Sequence, residues 1–132
     1  GFKRVNDEIG HLGGDRLLQQ VGERLTSCIR GSDTACRFGG DEFVVLLADI
    51  GLGRRPRTKA KDKIISQLTM PYVIDGTTVR IGASIGMATY PTDGKNYDEL
   101  MRFADFTMYR NKVAPSRDEF FPKPSRRCAY GA

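Results

Sequence analysis

The chain of 132 residues has no tryptophan, a single histidine and three cysteines, Cys28, Cys36 and Cys128. An odd number of cysteines without a Cys-x-x-Cys pair excludes a disulfide framework and offers no zinc cage. Cys28 and Cys36 stand in apolar segments and read as small core residues. No apolar run is long enough to span a bilayer, and no signal-peptide pattern opens the chain. The piece is therefore expected in the cytoplasm, with any membrane anchor left to a parent protein. Internal repeats and low-complexity blocks are also missing. What is present is an ordinary globular composition, 39% apolar and 28% charged, sized for one domain with one core. The net charge of +5 collects largely in Arg54-Arg55-Pro56-Arg57-Thr58-Lys59-Ala60-Lys61 and near the C-terminus. Aromatic residues are not interleaved with that run, so it reads as a solvated face or loop and not as a nucleic-acid platform.

Along the chain, Phe2, Val5 and Ile9 have helical spacing. After Gly10-His11-Leu12-Gly13-Gly14, a second amphipathic stretch through Leu17, Leu18, Val21, Leu25, Cys28 and Ile29 predicts a helix ending near Gly31, with Asp15 as its cap. Two β-prone runs, Thr34 to Phe38 and Phe43 to Leu47, flank a Gly-Gly pair and predict a tight hairpin. A loop follows from Gly51 to Thr58, then a helix from Ala60 to Leu68 closed by Pro71. Asp75-Gly76 signals a second hairpin between Tyr72–Ile74 and a longer strand, Thr78–Thr89. In that strand Val79, Ile81, Ala83, Ile85 and Met87 alternate with Arg80, Gly82, Ser84 and Gly86, leaving one face small enough for a helix or ligand to lie close.

After a turn at Pro91–Gly94, a last helix starts at Asp98, carries Leu100, Met101, Ala104, Met108 and Tyr109 towards the core, and stops before Pro115. Helices alternating with hairpins make the fold α+β, an antiparallel central sheet with packed helices. Residues 1–121 form the domain and 122–132 a tail.

The chemistry concentrates at Phe38-Gly39-Gly40-Asp41-Glu42-Phe43. Two adjacent carboxylates leave a glycine turn at the start of an apolar strand. They either solvate a hairpin tip or hold a divalent metal beneath phosphates that the glycines let approach. Upstream, Asn6, His11 and Asp15 each have a local explanation, as a helix-surface residue, a loop residue and a cap. Together, their donors and acceptors could read a guanine edge.

The order Phe2-Lys3-x-x-Asn6-Asp7, Gly10-His11-x-x-Gly14-Asp15, Arg37-x-Gly39-Gly40-Asp41-Glu42-Phe43, Ala83-Ser84-Ile85-Gly86 and Ala104-Asp105-x-x-Met108-Tyr109-x-x-Lys112 resembles the GGDEF family of diguanylate cyclases, from Gly1 to about Lys112. The resemblance implies a fold similar to the polymerase palm and class III nucleotide cyclases. It also implies a reaction, in which a homodimer joins two GTP into cyclic diguanylate with release of pyrophosphate. By the same resemblance Asn6 and Asp15 would bond the guanine and His11 would line its pocket. Asp41 would ligate Mg²⁺ or Mn²⁺ and accept a proton, with Glu42 supporting the metal or the hydroxyl. Lys3 would stabilise the transition state, Gly39 and Gly40 would make room for phosphates, and Lys112, with Arg117, would reach the phosphates.

Arg30-Gly31-Ser32-Asp33, five residues ahead of Gly39, has the spacing of the family's inhibitory product site; it reads equally as a helix-end arginine followed by a turn aspartate. The family's strand before Phe2, with an aspartate that shares the metals, precedes the first residue of this chain. The alternative expectation is a non-catalytic module that binds GTP or cyclic diguanylate, beside a sensory or phosphodiesterase domain in the parent chain.

Overall fold

The structure, a computed structural model, describes residues 2–48, 56–113 and 127–131, with side chains through Arg110. Helix α1 (Phe2–Cys28) is built on Val5, Leu17, Leu18, Val21, Leu25 and Cys28, all buried and recurring at three- and four-residue steps from Leu18 onward. It breaks once, at Gly10, whose φ of 78° and ψ of 171° lie in a region that glycine alone enters freely.

That single break corrects the expected loop over residues 10–14. Gly13 and Gly14 are helical, and Asp15 lies inside the second segment instead of capping it. The extra glycines serve close packing across the kink. A Cβ on Gly13 would stand 2.8 Å from the Ile9 side chain, and one on Gly14 would stand 2.0 Å from Asn6 Oδ1.

Strands β1 (Thr34–Gly39) and β2 (Glu42–Leu46) form the expected antiparallel hairpin, with Gly39 opposite Glu42 and a register shift between Arg37 and Gly39. Only Gly40 of the pair takes a positive φ, 52°. Phe43, Val44, Val45 and Leu47 are buried while Leu46 is half exposed. β1 is an edge strand, which corrects Cys36: Cys28 is buried in the core, but Cys36 is exposed.

Helix α2 (Arg57–Leu68) buries Ala60, Ile64 and Leu68 at four-residue steps. Arg24 fastens it to α1 by donating to the carbonyls of Gln67, Met70 and Pro71 while its guanidinium stacks 3.6 Å over the Tyr72 ring. Charge-assisted bonds to a helix C-terminus are the strong kind, so this clamp is a principal tie between the two helices. β3 (Tyr72–Ile74) and β4 (Thr77–Val79) pair around Asp75-Gly76, both at positive φ, the geometry a two-residue turn requires. Arg16 pairs with Asp75, and Gln20 Nε2 donates to the Val73 carbonyl, tying that hairpin to α1.

The long strand expected over 78–89 is divided. β4 ends at Val79, and β5 (Ser84–Met87) belongs to the other sheet. The alternation misled because Val79, Ile81 and Ile85 serve the same core while the chain crosses from one sheet to the other. Helix α3 (Tyr97–Val113) starts one residue earlier than expected, where Asn96 Oδ1 accepts from the Glu99 amide and Glu99 Oε2 accepts from the Lys95 amide. It buries Ala104 and Met108, but Tyr109 is exposed, contrary to its expected place in the core.

α3 lies directly on Gly86, as the small face of the strand led one to expect. Thr107 Oγ1 accepts from the Met87 amide at 3.1 Å and donates to the Ala104 carbonyl at 2.9 Å. Residues 127–131, expected in the tail, form β6 (Arg127–Gly131) between β2 and β5, parallel to both. The sheet order is β1-β2-β6-β5, so the fold is α+β with antiparallel hairpins and a sheet that also holds parallel pairs. A strand of five residues is too short for its alternation to be legible beforehand. No described helix is long and apolar enough to cross a membrane.

Candidate functional site

The kink in α1 folds Asn6 against the start of the second segment, where Asn6 Nδ2 and His11 Nδ1 are 3.0 Å apart. Gly14 leaves the space that the Asn6 side-chain oxygen Oδ1 fills, and Asp15 is the next residue along the helix, so two of the expected base-reading groups touch at the bend and the third follows it in sequence. All are on the outside of the fold, with Asn6 half-buried and His11 and Asp15 exposed. A Gly14→Ala variant should displace Asn6 and cost little stability, since the groups a Cβ would meet, Asn6 Oδ1 and at 3.3 Å Phe2 Cζ, are the ends of side chains. If the bend binds a purine, its affinity for GTP should fall about tenfold with the melting temperature within a few degrees of the parent's, as read by calorimetry and thermal melts.

From Asp15 a cleft of about 320 Å³ runs between α1 and the hairpin, walled by Leu18, Gly22 and Thr26 on one side and by Cys36, Arg37 and Phe43 on the other. That size is at the lower end for small-ligand pockets. Arg37 Nε donates to the Gly40 carbonyl at 2.8 Å, so one wall of the cleft is bonded to the glycine turn itself. Asp41 in the turn and Glu42 at the first position of β2 are half-buried. A Cβ on Gly39 or Gly40 would meet no atom within 4 Å among the described residues, so the space over the turn is open. Asp15 of the bend and Arg37, which is bonded to the glycine turn, thus line one cleft, while Asn6, His11, Asp41 and Glu42 stand outside its lining.

Among the described residues no group of three His, Cys, Asp or Glu side chains converges. The turn offers two carboxylates, the oxygen donors that Mg²⁺ takes from a protein when substrate phosphates and water complete its shell. The donor set therefore fits a hard divalent cation.

Of the other expected residues, Lys3 is exposed on the first turn of α1. Lys112 lies in the last turn of α3, its side chain beyond those described, and Arg117 lies outside the described residues. Asp33 is buried, with Oδ2 accepting from the Arg30 amide at 2.8 Å and Oδ1 from the Ala48 amide at 2.9 Å, while Arg30 is exposed.

A family model described as "Diguanylate cyclase, GGDEF domain" matches residues 1–117. The chain belongs to the GGDEF family. This GGDEF domain is 46% identical over 114 residues to MucR of Pseudomonas aeruginosa, a bifunctional diguanylate cyclase/cyclic di-GMP phosphodiesterase, covering 85% of the chain and 16% of MucR. It is 37% identical over 123 residues to NbdA of the same organism, a cyclic di-GMP phosphodiesterase, covering 92% of the chain and 16% of NbdA. The chain thus spans about a sixth of the length of these curated relatives. Among solved structures, the isolated GGDEF domain of TpbB (YfiN) from Pseudomonas aeruginosa superposes with a TM-score of 0.76 at 33% identity, covering 97% of the chain and 70% of that one. The fold is that of GGDEF domains, similar to the palm of class III nucleotide cyclases.

Sequence reasoning quoted Arg37 within a motif but gave it no role, and it missed Gly22. The available signal was a glycine in mid-helix, which costs about 1 kcal/mol relative to alanine. Its own fold supplies little reason for it: a Cβ there would make only an ordinary contact with Phe43 at 3.8 Å.

Proposed function

We propose that this GGDEF domain condenses two GTP into cyclic diguanylate with release of pyrophosphate, two copies facing each other with one GTP each. The observation that carries the reading is the cleft that Asp15 shares with Arg37, the residue bonded to the signature turn. A nucleotide whose base lies at the Asn6–Asp15 bend would run along that recess past Arg37 towards the turn. There, Asn6 and Asp15 bond the guanine edge, His11 holds Asn6, and the open space over Gly39 and Gly40 takes the phosphates.

In each of two transfers a 3′-oxygen bonds to the α-phosphorus of the partner GTP, and the bond from that phosphorus to the bridging oxygen of pyrophosphate breaks. The hydroxyl proton passes to Asp41. Asp41 and Glu42 would hold Mg²⁺ or Mn²⁺, which when bound neutralises triphosphate charge and lowers the pKa of the attacking hydroxyl. Lys3, Lys112 and Arg117 add positive charge where it develops on the phosphates. Arg30 and Asp33 serve as the product's feedback site. The need for GTP assigns the domain to the cytoplasm, and its extent is residues 1–121 together with the strand Arg127–Gly131.

A second reading has one observation in its favour: NbdA, alike over 92% of this chain, is named for phosphodiesterase activity. On that reading the domain binds GTP or cyclic diguanylate without turnover and regulates a sensory or phosphodiesterase domain of the parent protein. Incubating the full-length protein with GTP and Mg²⁺ at dimer-forming concentrations separates the two. Cyclic diguanylate formation supports the first; GTP binding by calorimetry with no product supports the second; neither would remove both.

A further inference from the structure

The hairpin and α1 share one core through Phe43, Val45, Leu18 and Val21, yet a cleft opens at the edge of their contact, and folding accounts only in part for two of its features. One is Gly22, placed in a helix where an alanine would fit. The other is Arg37, an exposed edge-strand residue lining the same cleft as Asp15, which spends its Nε–H on the Gly40 carbonyl and carries four further N–H groups. Gly40 is also the turn residue held at positive φ, next to Asp41.

We propose that Arg37 is a positioning residue that couples the glycine turn to the nucleoside lying in the cleft, with Gly22 keeping the cleft floor open for it. The inference rests on the reading of the domain as a GTP site. Its physics is that of a fork. A guanidinium is planar and presents N–H groups in fixed directions, so one edge can fix a backbone carbonyl while the other addresses a ligand. The ligand class is a purine nucleoside triphosphate: its base is held at the Asn6–Asp15 bend and its sugar and phosphates pass Arg37 on the way to the turn.

Holding the Gly40 carbonyl orients the peptide that leads to Asp41, and small misplacements at a reacting centre are costly. A lysine keeps the charge but cannot donate from a fixed plane, so Arg37→Lys separates geometry from charge.

The test uses the full-length protein with GTP and Mg²⁺. Arg37→Lys and Arg37→Ala should each weaken GTP binding about tenfold by calorimetry, and where turnover is present lower kcat by about 10²-fold, with unchanged thermal midpoints. Gly22→Leu should fill the cleft and weaken GTP binding at least about tenfold while the fold is kept, since leucine is the better helix former. Parental GTP affinity in Arg37→Lys or in Gly22→Leu would overturn the proposal. A parent protein that binds no GTP at all would instead strike the reading beneath it and carry this inference down too. Loss of binding accompanied by a collapsed melting transition in both Arg37 variants would assign Arg37 to the fold alone, which also overturns it.

Discussion

Asp41→Ala is expected to lower cyclic diguanylate formation by about 10³-fold or more, the rate equivalent of losing several kcal/mol of charge stabilisation at a transferring phosphoryl group. The carboxylate is at the turn, half-buried and outside the core, so the stability change should stay within about 1 kcal/mol. Glu42→Ala should act in the same direction. Turnover measured beside thermal melts of each variant checks this. Parental rates in both would show that the acidic pair only solvates the hairpin tip. GTP affinity is informative as well: it should fall less than the rate, because the proposed base contacts at Asn6 and Asp15 are untouched.

Gly86→Ala is expected to be among the most damaging single substitutions available to the fold. Its Cβ would be placed 1.8 Å from the Ala104 carbonyl oxygen and 2.7 Å from the carbonyl carbon, both backbone atoms of α3 that no rotamer change can move. Overpacking of this kind costs about 3 kcal/mol or more, a large share of what a domain of this size has. The helix would have to lift off β5 and release Thr107 from Met87. Urea unfolding should report a fall in midpoint with m unchanged if the variant stays two-state. A midpoint equal to the parent's would mean that α3 docks farther from the sheet than described.

Residue by residue, the sequence was legible where local chemistry decided the structure. The Asp75-Gly76 turn, the glycine turn before Asp41 and the core stripe of α1 follow from backbone preference and helical period. Gly86 was legible too, as a vacancy that some neighbour had to use. Misreadings arose where tertiary context overrode a local signal. The cluster Gly10-His11-Leu12-Gly13-Gly14 looked like one loop, yet Gly10 breaks the helix and the other two are packing sites. Cys36 looked apolar by its neighbours, but an edge strand has one side without a partner. The strand Arg127–Gly131 gains its place only by pairing with residues some forty and eighty positions away, which no window along the chain can see. For the site, Asn6, His11 and Asp15 could be read only as residue types in order. The kink that sets Asn6 against His11 and the Arg37 tether could not be read, because each depends on distances that spacing leaves open.

The burial of Asp33 bears on how signals travel. Its two oxygens are bound to main-chain donors on either side, one at the exit of α1 and one just past the end of β2. A nucleotide that recruited this buried carboxylate would compete with both amides for its oxygens. Winning that contest unfastens the distal end of the same strand whose first residue is Glu42. Faster deuterium uptake at the Ala48 amide upon adding cyclic diguanylate would reveal the release, whereas unchanged protection would mean that product, if it docks there, leans on Arg30 and leaves the knot tied.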